Sequence, residues 1–255
     1  MTQWIRFEHG GKTAFGTLEG QTITVHTGEL LDQPKPTGQK VQLSQVRVLA
    51  PVKPGKIVAL WNNFHALAAK LGLSAPPEPL YFIKASTSVL EPGGTIRRPR
   101  TYDGKVVFEG ELGVVIGKTA RGVAEAEAEG CIFGYTCVND VTAAELLKKD
   151  STFDQWTRAK SFDTFGPVGP VVATGLNPAT LKVRSVLNGD QRQDYPISDM
   201  VFGPARLVHM ISQDLTLEPG DIISCGTSLG VGSMKPGSTV QISIEGIGTL
   251  TNSFE

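Results

Sequence analysis

Short runs of β-branched and aromatic residues, broken by glycine and proline, recur along the whole chain. Residues 4–7, 14–16 and 23–25 are apolar runs separated by Gly10-Gly11 and Gly20. Runs of this length bounded by turn-formers predict strands, here a small β module over residues 1–45. The stretch 31–40 carries Pro34, Pro36 and Gly38 and reads as a linker to a larger unit over residues 46–255. In that unit, 56–60 and 80–84 read as strands, and 106–116 as a longer strand with apolar residues on both faces. Segments 65–71, 123–130, 141–150 and 203–212 read as helices. Near the end, Val240, Ile242 and Ile244 alternate with polar residues, and Gly246-Ile247-Gly248 makes the turn of an antiparallel pair over 238–254. The pattern predicts an α+β chain that is mainly β.

Composition sharpens this. With 29 Gly and 16 Pro among 255 residues, turns are frequent enough to favour β architecture. Hydrophobic residues at 40% and charged residues at 19% suit a globular fold with a sizeable core. The net charge of −1 and the lack of a basic block offer nothing to nucleic acid or an anionic membrane. No apolar run approaches a membrane span, and no signal region opens the chain. Three widely spaced cysteines, Cys131, Cys137 and Cys225, make no disulfide framework and point to a reducing, cytoplasmic setting.

The chemistry concentrates at Glu109-Gly110-Glu111, inside the apolar run 106–116. Side chains two apart on a strand share a face, so the two carboxylates project together. Held that close, each raises the other's pKa unless a cation lies between them. A hard divalent ion with oxygen ligands answers this. An edge strand with a solvent-facing acidic side is the plainer account, but the apolar flanks argue for burial, where unpaired carboxylates are costly. Asp140 follows a second apolar run and could complete a three-carboxylate site, or cap the helix expected over 141–150. Lys160, in a stretch of charged and aromatic residues, and Lys84, at the end of an apolar strand, are cations that could enter the same site. The glycine-rich segment 226–232 lacks the Lys-Ser/Thr of a P-loop; it reads as turns, or as a backbone cradle for a substrate carboxylate.

Together these segments resemble the fumarylacetoacetate hydrolase family. The likeness runs from about residue 51 to the end and is carried by Pro79 to Lys84, Glu109 to Gly117, Gly134-Tyr135, Asn139-Asp140, Ala159 to Asp163, Asn188-Gly189, Arg192-Gln193, Glu218 to Asp221, Gly226-Thr227 and Gly230-Val231-Gly232. The resemblance implies a mixed β-roll, often dimeric, with Mg²⁺ or Mn²⁺ held by Glu109, Glu111 and Asp140. It implies a small-molecule 2-oxo acid substrate, Lys160 at the reacting oxygen, and Thr227, Gly226, Gln193 and Lys84 in contact with substrate. Hydrolytic members use a histidine in a short lid helix as base; here His65 stands one or two residues from that position. The segment 67–71 followed by Pro77 to Leu80 is closer to the branch of 2-hydroxyhepta-2,4-diene-1,7-dioate isomerases and 5-carboxymethyl-2-oxo-hex-3-ene-1,7-dioate decarboxylases of aromatic-compound catabolism. That branch implies isomerisation or decarboxylation through an enolate. Acylpyruvate hydrolysis and oxaloacetate decarboxylation are the alternatives within the family, and a non-catalytic binding protein is the alternative outside it.

Overall fold

The structure, a computed structural model, describes residues 1–255. Thr2–His9 (β1), Lys12–Glu19 (β2), Thr22–Glu29 (β3) and Asp32–Gln42 (β4) form an antiparallel meander. Ile5 and Phe7 on β1 and Ile23 and Val25 on β3 are buried, as alternation requires. The expected linker over 31–40 is instead most of β4. Its prolines are tolerated because β4 is the edge of the sheet, where a missing N–H breaks no ladder on the open side.

β1 also pairs with Gly166–Thr174, so the meander is continuous with the main sheet. From β1 that sheet runs through Gly166–Thr174, Ile132–Asn139, Gly110–Ile116, Ile222–Ser224, Ile57–Trp61 and Leu80–Lys84. Ile222–Ser224 and Ile57–Trp61 pair parallel and the neighbouring pairs antiparallel, which makes the sheet mixed. Gly110–Ile116 is buried throughout: Leu112, Val114 and Ile116 join the larger core, and Val115 a second one with Val138 and Ile222. A three-stranded sheet centres on Val106–Phe108, and a five-stranded sheet carries the C-terminal pair Thr239–Ile244 and Gly248–Phe254.

Four short helices complete the chain: His65–Leu71 (α1), Glu125–Ala128 (α2), Trp156–Lys160 (α3) and Pro204–Asp214 (α4). α4 buries Leu207, Val208 and Ile211, a stripe at helical spacing. The helix expected over 141–150 does not form. Thr142–Ala143 pairs with Val106–Val107 as a strand, and Ala144–Leu146 is a single 3-10 turn. β-Branched Val141 and Thr142 beside an open edge of Val106–Phe108 favour the ladder over a helix. The helix expected over 123–130 is shorter than read, α2 passing into a 3-10 turn at Glu129–Cys131.

Candidate functional site

The run 106–116 is read from sequence as one strand, but it changes sheets at Glu109. Val106–Phe108 belongs to the three-stranded sheet and Gly110–Ile116 to the main sheet. Gly110 faces Asn139 in the antiparallel pair with Ile132–Asn139. The next backbone contact, Asp140 N to Glu109 O at 2.9 Å, ties the following residue to the junction. Asn139 Oδ1 accepts from the Glu109 amide at 3.0 Å. The register therefore brings Asp140 beside the glutamate pair. One oxygen each of Glu109, Glu111 and Asp140 lie within 4.8 Å of one another.

Two lysines enter the same cluster. Lys160, the last residue of α3, donates to Glu109 Oε2 at 2.7 Å and to Asp140 Oδ2 at 2.5 Å. Lys84 donates to Asp140 Oδ1 at 2.6 Å and to the carbonyl of Lys160. Asp140 is thus no helix cap: no helix follows it, and both its oxygens accept from ammonium groups. Thr142 Oγ1 donates to Glu109 Oε1 at 2.9 Å, and Ser224 Oγ and the Gly226 amide donate to Glu111 Oε2 at 2.5 and 2.9 Å.

Electrostatics follow from burial and these pairs. Burial, then the Asp140 and Glu109 carboxylates, push the Glu111 carboxyl well above the usual carboxylate range. Burial also raises Glu109 against the pull of Lys160. Burial would raise Asp140 too, but Lys160 and Lys84 together hold it below its ordinary value. Burial would lower the Lys160 ammonium, but Asp140, Glu109 and Glu111 outweigh it and hold it up. Burial lowers Lys84, which Asp140 only partly offsets.

Three carboxyl groups face two ammonium groups, and Glu111 Oε1 is buried with no hydrogen-bond partner. A buried carboxylate oxygen without a donor is costly. A cation among the three acids would satisfy it, and an all-oxygen donor set suits Mg²⁺ or Mn²⁺. The residues present fit such an ion. The Glu109 side chain, 15% exposed, is the open side of a cluster in which Asp140 is wholly buried.

The residues expected to touch substrate mostly brace this cluster. Lys84, expected in contact with substrate, has no exposed side-chain surface and is spent on Asp140 and the Lys160 carbonyl. Gly226 gives its N–H to Glu111; a Cβ there would stand 3.3 Å from the Leu60 carbonyl, on a backbone with φ of +89°. Gln193 donates to Thr227 Oγ1 at 2.9 Å and accepts from the Gly110 amide at 3.0 Å. Thr227 in turn donates to the Gly110 carbonyl at 3.0 Å, which also accepts from Tyr195 at 2.5 Å. His65 opens α1, is exposed, and makes no hydrogen bond or ion pair. α1 is anchored instead by Asn63, whose amide group bonds Phe202 and the Cys225 carbonyl. Ser224, Thr142 and Tyr195 escape sequence reading. Their only signal is a polar side chain in an apolar strand, which many structural residues share. The three cysteines are buried free thiols; burial pushes Cys137 up to about 12 and Cys225 well above its ordinary value, which leaves neither of these two as a thiol nucleophile.

Known proteins share this arrangement of chain. A family model described as Fumarylacetoacetate (FAA) hydrolase C-terminal matches residues 56–255, and one described as Rv2993c-like, N-terminal matches residues 2–51. Protein Rv2993c of Mycobacterium tuberculosis is 44% identical over 219 residues, spanning 85% of this chain and 81% of that one. Oxaloacetate tautomerase YisK of Bacillus subtilis is 35% identical over 253 residues, 92% of this chain and 83% of that one. Among solved structures, 2-hydroxyhepta-2,4-diene-1,7-dioate isomerase from Mycobacterium marinum superposes with a TM-score of 0.91 at 38% identity, covering 100% of this chain and 98% of that one. Maleylpyruvate hydrolase from Sphingobium sp. SYK-6, in complex with manganese (II) ion and pyruvate, gives 0.80 at 27% identity, covering 99% and 98%. A mixed β fold, an acid triad at a strand junction and a match over residues 56–255 agree: this chain belongs to the fumarylacetoacetate hydrolase family.

Proposed function

We propose that this chain is a divalent-metal-dependent enzyme acting on 2-oxo or 2-hydroxy-dienoic dicarboxylic acids, by isomerisation or decarboxylation. The observation that carries it is the unpartnered, buried Glu111 Oε1 within 4.8 Å of ligand oxygens of Glu109 and Asp140. Glu109, Glu111 and Asp140 would hold the ion; bound there, Mg²⁺ or Mn²⁺ supplies Lewis-acid polarisation to a 2-oxo acid. The rest falls to the chain's own groups. Lys160, whose ammonium reaches Glu109 and Asp140, offers positive charge to the substrate's keto oxygen. Lys84, behind Asp140, fixes that carboxylate's orientation. Gln193, Thr227 and Tyr195 converge on Gly110 and hold the backbone between the two glutamates. The isomerase from Mycobacterium marinum supports this choice of reaction by its likeness over the whole chain.

A second reading is enol–keto conversion of oxaloacetate, favoured by the 35% identity to oxaloacetate tautomerase YisK over 92% of this chain. It needs the same charge stabilisation at the keto oxygen and no water-activating base. Hydrolysis of acylpyruvates does need such a base, and His65, the histidine considered for that role, is exposed and its side chain engages nothing.

The test is a substrate panel in Mg²⁺ and in Mn²⁺: a 2-hydroxydienedioate, oxaloacetate and an acylpyruvate, followed by ultraviolet absorbance with the products identified. Metal-dependent conversion of the dienedioate is expected. Conversion of oxaloacetate alone would favour the second reading, and no turnover of any of them would leave a binding protein.

A further inference from the structure

Next to the acid cluster lies a cavity of about 840 Å³ that the catalytic reading leaves unused. Trp61, Tyr81, Phe82, Phe153, Trp156 and Arg158 are among its lining. Three of these form a continuous aromatic wall. Phe82 stacks on Trp156 with ring centroids 5.4 Å apart and planes at 28°, and Trp156 meets Trp61 at 5.3 Å. The wall touches the catalytic cluster directly, because the Lys160 ammonium stands over the Phe82 ring at 5.3 Å. Local geometry explains the junction. Trp156 and Lys160 are four apart on α3 and share a face. Phe82 and Lys84 are two apart on the strand Leu80–Lys84 and share a face as well. α3 packs on that strand, so one end of the contact is ionic and the other aromatic.

The charges around the cavity are unequal. Of its two lining cations, Lys148 is paired with Asp154 at 2.5 Å. Arg158 has neither an ion pair nor a hydrogen bond, and it is exposed on α3, two residues from both Trp156 and Lys160. A planar guanidinium with all its donors free is suited to a carboxylate held by two parallel bonds.

We infer that this aromatic cavity receives the distal arm of the substrate, with Trp61, Phe82 and Trp156 against a planar or extended chain and Arg158 on a carboxylate at its far end. The inference rests on the metal-dependent 2-oxo acid reading and adds to it the part of the substrate remote from the reacting carbons. It makes the enzyme selective for diacids over monoacids of equal length.

The test needs no turnover. Two of the chain's three tryptophans, Trp61 and Trp156, line the cavity, so intrinsic fluorescence reports its occupancy. Wild-type protein in Mn²⁺ is titrated with 2-oxoheptanedioate and with 2-oxoheptanoate, which differ only in the distal carboxylate. The diacid is expected to bind roughly tenfold or more tightly, the size of one charge-assisted pair. Arg158→Gln is expected to bring the ratio of the two affinities close to one, and Arg158→Lys to keep part of it. Arg158 is exposed, so neither change endangers the fold. Equal binding of diacid and monoacid by wild-type protein, or a ratio unchanged in Arg158→Gln, overturns the subsite while leaving the 2-oxo acid reading in place. Failure of both ligands to bind in Mn²⁺ removes that reading and the subsite with it.

Discussion

Gly110 stands opposite Asn139, and from that one register follows the position of every acid in the cluster. It sets Glu109 and Glu111 on either side of a residue with no side chain, and it lays Asp140 against the Glu109 carbonyl. A Cβ on Gly110 would come within 2.8 Å of Ile242 Cδ1 and 3.1 Å of Gln193 Oε1. Gly110→Ala is therefore expected to cost about 1–3 kcal/mol by overpacking, and to weaken Mn²⁺ binding because the strain falls between two ligands. Denaturant unfolding together with Mn²⁺ titration checks it; a variant as stable and as tight-binding as wild type would show that the junction is loose.

Glu109→Ala removes the most exposed of the three acids. It is expected to abolish activity on every substrate in the panel and to weaken Mn²⁺ binding by about 100-fold or more. Isothermal titration with Mn²⁺ reads the second effect without any substrate. Unchanged affinity would end the metal assignment.

Lys160→Met leaves Glu109 and Asp140 short of an ammonium in a buried site. The metal-free protein is expected to lose about 3–5 kcal/mol of stability, as when one partner of a buried pair is deleted. Mn²⁺ is expected to restore part of it, since it supplies positive charge at the same place. Turnover is expected to fall about 100- to 1000-fold even with metal bound. Thermal melts with and without Mn²⁺, beside rates at saturating metal, separate the two effects.

The metal's stabilising effect is expected to grow with pH. In the metal-free fold the Glu111 carboxyl is raised above its ordinary value of 4.5, so the folded state holds a proton there that the unfolded chain has lost. Where the folded state binds more protons, stability falls as pH rises. Metal binding displaces that proton, so affinity rises over the same range until the carboxyl is ionised without the metal. The difference in Tm with and without Mg²⁺, followed from about pH 5 to about pH 8, is expected to increase. A flat profile would mean that Glu111 is already ionised and is not a ligand in competition with a proton.

His65→Ala is expected to change stability by no more than about 0.5 kcal/mol, because the ring is exposed and unbonded. Isomerisation of the dienedioate is expected to survive the change, whereas any acylpyruvate hydrolysis would be impaired. Equal loss of both activities would place His65 in the chemistry they share.

The sequence by itself determined the class and most of the elements. Period-two alternation and glycine turns are local, and they mark β1 to β3, the C-terminal pair and the strand Leu80–Lys84 where the structure has them. The pairing of Glu109 with Glu111 was legible for the same reason: one residue of strand backbone separates them. What only the tertiary structure decided depends on partners distant in sequence. Residues 32–42 became β4 because β3 offered an edge, and residues 142–143 became a strand because Val106–Phe108 did; local propensity cannot see a neighbour that the chain supplies later or earlier. Lys84 and Lys160 meet Asp140 across 56 and 20 residues, and Ser224 and Gly226 meet Glu111 across more than 100. Their roles exist only once the sheet has assembled. The same holds for the aromatic wall beside Arg158, whose rings come from three separate segments and whose significance lies in the one cavity-lining cation that folding left without an anion.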